Sequence, residues 1–235
     1  MAIQSATYLT GKINNIVFYQ RLGTYIARSV PAKVKQSAAT RVRSKNFGIA
    51  AAAGRILRGS LQQALPFPKN KIMQSRFSGA IAHWLGINNC ESLPPQTGLP
   101  FISEFSFNES TGIKERWKLP LTVTRVDEQL LQLQIPAFTP KQVIAAPAHT
   151  SLIACTIIAA SCNLQSPTAK GSFSTTLTIP YTDIPIPALL LPMALPVAAG
   201  YLVVTVVSFT YLLQNGEKEQ RPAFMPSGVI DAQYC

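Results

Sequence analysis

The chain has 235 residues, 47% hydrophobic and only 13% charged, with a mean hydropathy of +0.19. This excludes a disordered chain, which needs low hydrophobicity and high charge, and four cysteines are too few for a disulfide scaffold. The formal net charge of +11 is unevenly spread: thirteen of the 21 bases and none of the ten acids fall in residues 1–90, so that stretch carries +13 and residues 91–235 carry −2.

The chain opens Met-Ala-Ile-Gln-Ser-Ala, with no basic stretch ahead of an apolar one. This pattern predicts no secretory signal peptide, hence a cytoplasmic protein or one released by a signal-independent route. Residues 13–20 and 24–30 read as two strands, with Arg21-Leu22-Gly23 as the turn and Gly23 able to take a positive φ. Pro31 ends the second strand. Ser37 or Thr40 then caps a helix running to about residue 64, closed by Pro66 and Pro68. At 100° per residue, Val42, Ile49, Ala50, Ala53, Ile56, Leu57 and Leu61 gather on one side of this helix. Arg41, Lys45, Arg55 and Arg58 form a basic stripe on the other, while Arg43 lands at the apolar edge. The run Ala50–Ala53 with Gly54 makes a thin surface that admits a close neighbour. A shorter helix over 72–85 places Phe77, Ile81, Trp84 and Leu85 on one side.

Residues 91–100, with the run Ser92-Leu93-Pro94-Pro95-Gln96-Thr97-Gly98, read as a linker. Beyond it the pattern changes to strands, expected at 101–107, 119–126, 129–135, 152–162, 172–179, 189–191, 201–213 and 229–234. Asp127-Glu128 and Asn215-Gly216 are turn signals. The uncharged stretch 184–213 is long enough to cross a membrane. Four prolines break its first half, however, and its second half is β-branched and aromatic, which favours a strand buried on both faces. The expected architecture is α+β: a basic N-terminal β-hairpin and helices over 1–90, then an antiparallel immunoglobulin-like β-sandwich over 101–235, with a barrel as the competing closure.

The run Gly11-Lys12-Ile13-Asn14-Asn15-Ile16-Val17-Phe18-Tyr19, followed by Gly23-Thr24-Tyr25-Ile26-Ala27-Arg28-Ser29-Val30-Pro31, resembles the start of small uncharacterised Bacteroidota proteins. In these a Gly-Lys-led strand is followed by Gly, Tyr, Arg-Ser and Pro, then by a basic helix and a β-sandwich. The resemblance covers roughly residues 11–60. It implies the architecture above and carries no activity.

Residues suited to catalysis are sparse. His83 sits in the second helix, and His149 precedes a strand holding Cys155, six residues on. A Cys–His nucleophile pair is conceivable there, but a buried structural cysteine is the commoner outcome. No phosphate loop, nucleophile elbow or metal-binding motif is present in the sequence. The expectation is therefore a chain that is not an enzyme, with no cofactor and no metal. Its basic residues, Arg28, Lys33, Lys35, Arg41, Lys45, Arg55 and Arg58, are the expected contacts to a polyanion or to another subunit. A solvated surface normally mixes both signs; thirteen bases without an acid do not. The favoured reading is a structural subunit that assembles with copies of itself into a filament, tube or shell, its N-terminal arm docking on a neighbour. The alternative is a nucleic-acid-binding protein with the basic helix on phosphates. Attachment to anionic lipid is the weakest of the three.

Overall fold

The hairpin expected around Arg21–Gly23 belongs to a larger sheet. The computed structural model describes residues 2–5, 8–30, 36–67, 70–87, 94–166 and 170–235. Strands β1 (Ala2–Ser5), β2 (Tyr8–Ile13), β3 (Ile16–Arg21) and β4 (Thr24–Ser29) pair antiparallel in that order. The segment expected as one strand over 13–20 is broken by a turn at Asn14, whose φ of 48° suits a residue that tolerates the left-handed region. At the next turn Leu22 (φ 49°) and Gly23 (φ 80°) are both left-handed, the conformation that matches the twist of a tight hairpin. Contacts divide the chain between Arg41 and Val42, so this sheet and the rest form separate units.

Helix α1 spans Ala38–Ser60. Ser37 caps it, its Oγ accepting from the Thr40 N–H at 3.1 Å. Helix α2 spans Lys71–Ile87. Its cap, Asn70, is a residue the sequence reading passed over: Oδ1 accepts from Ile72 N–H at 2.9 Å and Met73 N–H at 3.2 Å. The two helices approach closely at Gly54, where a Cβ would come within 2.7 Å of Ser78 Oγ. The thin Ala-Gly surface has this consequence. Buried Asn46 reaches across as well, donating to the Leu85 carbonyl near the end of α2 at 3.3 Å.

The remaining strands form two antiparallel sheets. The first has the order β5 (Gln96–Thr97), β12 (Ser227–Tyr234), β11 (Tyr201–Leu213), β8 (Thr150–Asn163), β9 (Lys170–Pro180). The second has the order β10 (Leu189–Ala194), β7 (Leu130–Ile135), β6 (Thr122–Arg125). Two short helices, α3 (Ile113–Arg116) and α4 (Pro140–Val143), lie in the connections. The turn at Asp127 forms as expected, with its Oδ1 accepting from Gln129 N–H at 2.7 Å.

Strand β11 shows how the layers are built. Leu202, Val204 and Val206 enter a cluster with Ala53, Leu57, Phe77, Ile81 and Trp84 of the helices. Val203, Val207, Phe209 and Tyr211, on the opposite face, enter a second cluster with Leu131, Leu133 and Met193 of the three-stranded sheet. Helices, five-stranded sheet and three-stranded sheet are thus stacked in three layers. A strand covered on both sides is predominantly apolar and carries no charge, and β11 meets this with Thr205 as its fully buried polar residue. No helix among the described residues is long and apolar enough to cross a membrane.

Two expectations are met differently. Residues 101–107 form turns, with Phe101 at φ 67° and an isolated bridge from Ser106 to Gly228. Phe105 and Phe107 pack edge-on and tilted against Phe77, at 5.1 and 5.2 Å between centroids, filling the core between helix and sheet. Of the expected linker, Gln96–Thr97 pairs with β12 and Leu99 is fully buried. The charge boundary near residue 90 therefore falls inside the larger unit, between α2 and the sheet it covers.

Candidate functional site

The N-terminal sheet has two unlike faces, and its register assigns them. Ile16 lies opposite Ile13 and Ser29, Phe18 opposite Gly11 and Ala27, and Gln20 opposite Tyr25. Partners across an antiparallel pair project to the same side. Ile13, Ile16, Phe18, Tyr25 and Ala27 therefore share one face, with Gln20 and Ser29 as its polar members. Tyr8 joins them, its ring stacked on Tyr25 at 3.8 Å with planes 2° apart. A hollow of about 220 Å³ lies among Tyr8, Leu9, Phe18, Tyr25, Ile26 and Ala27. On the other face Val17 stands between Lys12 and Arg28, Tyr19 lies opposite Ile26, and Arg21 opposite Thr24. Arg28 lies over the Tyr19 ring at 5.5 Å from its centroid. All three bases of residues 8–30 occupy this second face, and there is no acid in the segment.

No residue of 8–30 is buried. Tyr8, Ile13, Ile16 and Tyr25 are each more than 40% exposed, and Leu22 at the hairpin tip is 94% exposed. Among the described residues, both flanking strands of this sheet, β1 and β4, pair with one strand only. The apolar face of a stable sheet is normally covered by a second layer, and the described residues 8–30 show none of the burial such a layer gives.

The expected basic residues fall into three groups. Lys33 and Lys35 lie outside the described residues. Arg28 is on the sheet, beside Lys12 and Arg21, which the sequence reading did not single out; the alternation of β3 and β4 was the signal that could have found them. Arg41, Lys45 and Arg55 are exposed along α1. Arg58 is turned inward instead: its Nη1 donates to Ser78 Oγ at 2.9 Å and to the Gln74 carbonyl at 3.3 Å, tying α1 to α2. Burial lowers its pKa from the ordinary arginine value. Its helical position on the stripe was right for solvent, but its length lets it fold back over the groove. The acids that pair with bases, Glu104, Glu109, Asp183 and Glu219, all lie beyond residue 100.

The residues considered for catalysis are dispersed. Cys155 is fully buried in the central sheet, and burial pushes its thiol up, the opposite of an activated nucleophile. His149 is exposed, at φ 61°, before β8 begins. His83 lies against Phe101 at 4.1 Å between centroids. A hollow of about 400 Å³ is lined by Ile113, Trp117, Leu119, Leu121 and Val229 with Lys114 and Lys118, and its lining holds no His, Cys, Asp or Glu. Among the described residues no three His, Cys, Asp or Glu side chains gather as a metal site. Asp231 is a carboxylate that burial raises, to about 6, against the opposing effect of hydrogen bonds from Gln233 and Ala232. No family model, no curated protein and no solved structure matches the chain.

Proposed function

We propose that this protein is a non-catalytic structural subunit that assembles with copies of itself, using the N-terminal sheet as its docking element. The observation that carries this reading is an apolar sheet face, Ile13, Ile16, Phe18, Tyr25 and Tyr8, on a unit without a single buried residue among 8–30. Isolated sheets need a covered apolar face to be stable, and a layer from a neighbouring subunit supplies one. Leu22 supports the same reading: a left-handed leucine costs about 1–2 kcal/mol, and here the side chain is held out at a hairpin tip. A filament, tube or shell is the assembly in view. The immunoglobulin-like description belongs to this proposal too, for the layering of the two β-sheets; the strand order does not follow the ABED and CFG sheets of an immunoglobulin domain.

The second reading is nucleic-acid binding. It is favoured by the sheet face whose charges, Lys12, Arg21 and Arg28 around Tyr19, are all basic, with exposed Arg41, Lys45 and Arg55 on α1. The two readings coexist in a protein coat around a polyanion, which relieves the self-repulsion of subunits carrying +11 each.

Light scattering on the natively purified full chain, read at 260 and 280 nm, tests both. A large protein-only species that falls to far smaller particles on Ile16→Asp with Phe18→Asp is the expected result. A species rich in 260 nm absorbance, collapsing with nuclease and weakening steeply with salt, establishes the second reading. A 25.5 kDa monomer at all concentrations overturns the first.

A further inference from the structure

We propose that the outer edge of β9 is a second, independent subunit contact, where it pairs antiparallel with β9 of another copy and joins two five-stranded sheets into one. The argument starts from how sheet edges are protected. An exposed edge invites pairing with another chain, and folded proteins guard it by shortness, proline, charge or bulges. The other edges of the larger unit are guarded in these ways. β5 is two residues long, β10 carries Pro192 within it, and β6 is four residues long and ends in Arg125. Between its first and last residues β9 has none of these guards. It runs eleven residues and pairs with β8 in unbroken register from Lys170 to Pro180, and among the described residues no other strand hydrogen-bonds to it. Its one charge and its one proline stand at opposite ends.

The chemistry of the edge selects a second copy of this chain as the occupant. Side chains alternate along β9. Phe173, Leu177 and Ile179 point to the core side, while Ser172, Ser174, Thr176 and Thr178 are exposed on the other. Fully overlapped with an antiparallel copy, the strand places Ser174 opposite Thr176 and Ser172 opposite Thr178. Such hydroxyl pairs are favourable across strands, and the existing Thr156–Thr176 hydroxyl contact at 3.3 Å is one of them. The same overlap sets Lys170 opposite Pro180, so no like charges meet. The N-terminal sheet of a neighbour fits this edge less well, since it brings Lys12, Arg21 and Arg28 to a strand with no acid to receive them. β9 also lies in the half of the sequence that carries −2, where two copies meet without the repulsion of residues 1–90. A contact related by a two-fold axis closes on itself, so β9 yields pairs, and the N-terminal sheet is left to link pairs into larger bodies.

The test is sedimentation of the full chain with the N-terminal contact disabled by Ile16→Asp and Phe18→Asp. The expected species is a dimer, at twice the 25.5 kDa chain mass. Adding Ser174→Lys with Thr176→Lys sets like charges across the axis and weakens the dimer at least tenfold; Ser174→Glu with Thr176→Glu does the same. Both sites are exposed, so the inward residues of β9 stay in place, while the Ser174 hydroxyl's donation to Gln63 Oε1 at 3.2 Å is lost equally in the Lys and Glu chains and so does not distinguish them from the mixture. Mixing the Lys and Glu chains restores a dimer, as only self-pairing in this register allows. Amide exchange reads the same contact directly: every amide of residues 172–179 is slow in the dimer, and alternate ones become fast in the Lys chain. A dimer that survives both pairs of substitutions, a mixture that stays monomeric, or an arm-disabled chain that is monomeric with β9 intact overturns the proposal. None of these outcomes bears on the N-terminal contact, which is judged by the size of the unmodified assembly.

Discussion

The N-terminal sheet and the three-layer unit are built from the same ingredients and differ in cover. β3 and β11 are both rich in β-branched and aromatic residues, yet β11 is buried on its two faces and β3 on neither. Between helices and a second sheet, Val204 and Val203 each find an apolar cluster. Ile16 is exposed and Phe18 only half-buried. The difference separates two uses of hydrophobic surface: in the larger unit it drives folding of one chain, and in the sheet it remains available for association.

Paired truncations sharpen that contrast most strongly. Phe77 is fully buried between Phe105 and Phe107. Phe77→Ala is expected to destabilise the larger unit by about 3–5 kcal/mol in urea unfolding followed by tryptophan fluorescence. Both tryptophans, Trp84 and Trp117, lie in that unit, so the signal reports it alone. Phe18→Ala is expected to leave that transition within about 0.5 kcal/mol, while reducing assembly size. If the two substitutions shift the unfolding midpoint equally, the units fold as one and the distinction between them fails.

Much of this contrast was legible in the sequence, and the illegible part has physical causes. The hairpin, the two helices, the apolar side of α2 and most strands of the larger unit follow from period and turn chemistry. The uncharged, β-branched and aromatic run of β11 announced a strand covered twice. Residues 101–107 misled because alternating aromatics serve a strand and an aromatic plug equally well. The sequence pattern did not reveal that α1 and α2 cover the sheet, since a helix's apolar side shows that it needs a partner without naming one. The basic stripe was legible as a periodicity, but the fate of Arg58 depended on Ser78 and the Gln74 carbonyl across a helix contact made close by Gly54. Lys12 and Arg21 escaped because a strand face is defined only once its register is known.

A pH titration separates the regions by a smaller margin. Residues 8–30 hold no acid, so carboxylate effects on unfolding belong to the larger unit. Asp231 titrates near 6 when folded, above its ordinary 3.8, because burial disfavours its charge. The folded chain then binds more protons than the unfolded one between these values, and this group's contribution to stability falls as pH rises from about 4 to about 6. Asp231→Asn is expected to flatten that slope and to raise stability at pH 7 by roughly 2 kcal/mol. Glu219 acts oppositely and in a lower window: Arg221, donating at 2.6 and 2.9 Å, holds it at about 2, so its contribution is lost as pH falls from about 4.5 toward 2. Urea midpoints between pH 4 and 8 resolve Asp231 from Glu219. An unchanged slope in Asp231→Asn would place the titrating group elsewhere.

The finest comparison sets the two helix caps against each other. Asn70 and Ser37 do the same chemical work, accepting from amides that the helix itself leaves unpaired. Their surroundings differ. Asn70 precedes Met73 and Phe77, which lie in the core, so fraying of α2 uncovers buried surface. Ser37 precedes residues 38–45, all of them exposed, so fraying of the first turns of α1 uncovers nothing. A cap contributes about 1 kcal/mol where helix formation is coupled to packing. Asn70→Ala is therefore expected to lower global stability by about that amount, read by urea unfolding. Ser37→Ala is expected to leave the global transition in place and to speed amide exchange only over residues 38–41. If Ser37→Ala lowers the global midpoint as much as Asn70→Ala, the first turns of α1 are covered after all, and the boundary between the two regions lies nearer to the N-terminus than Arg41.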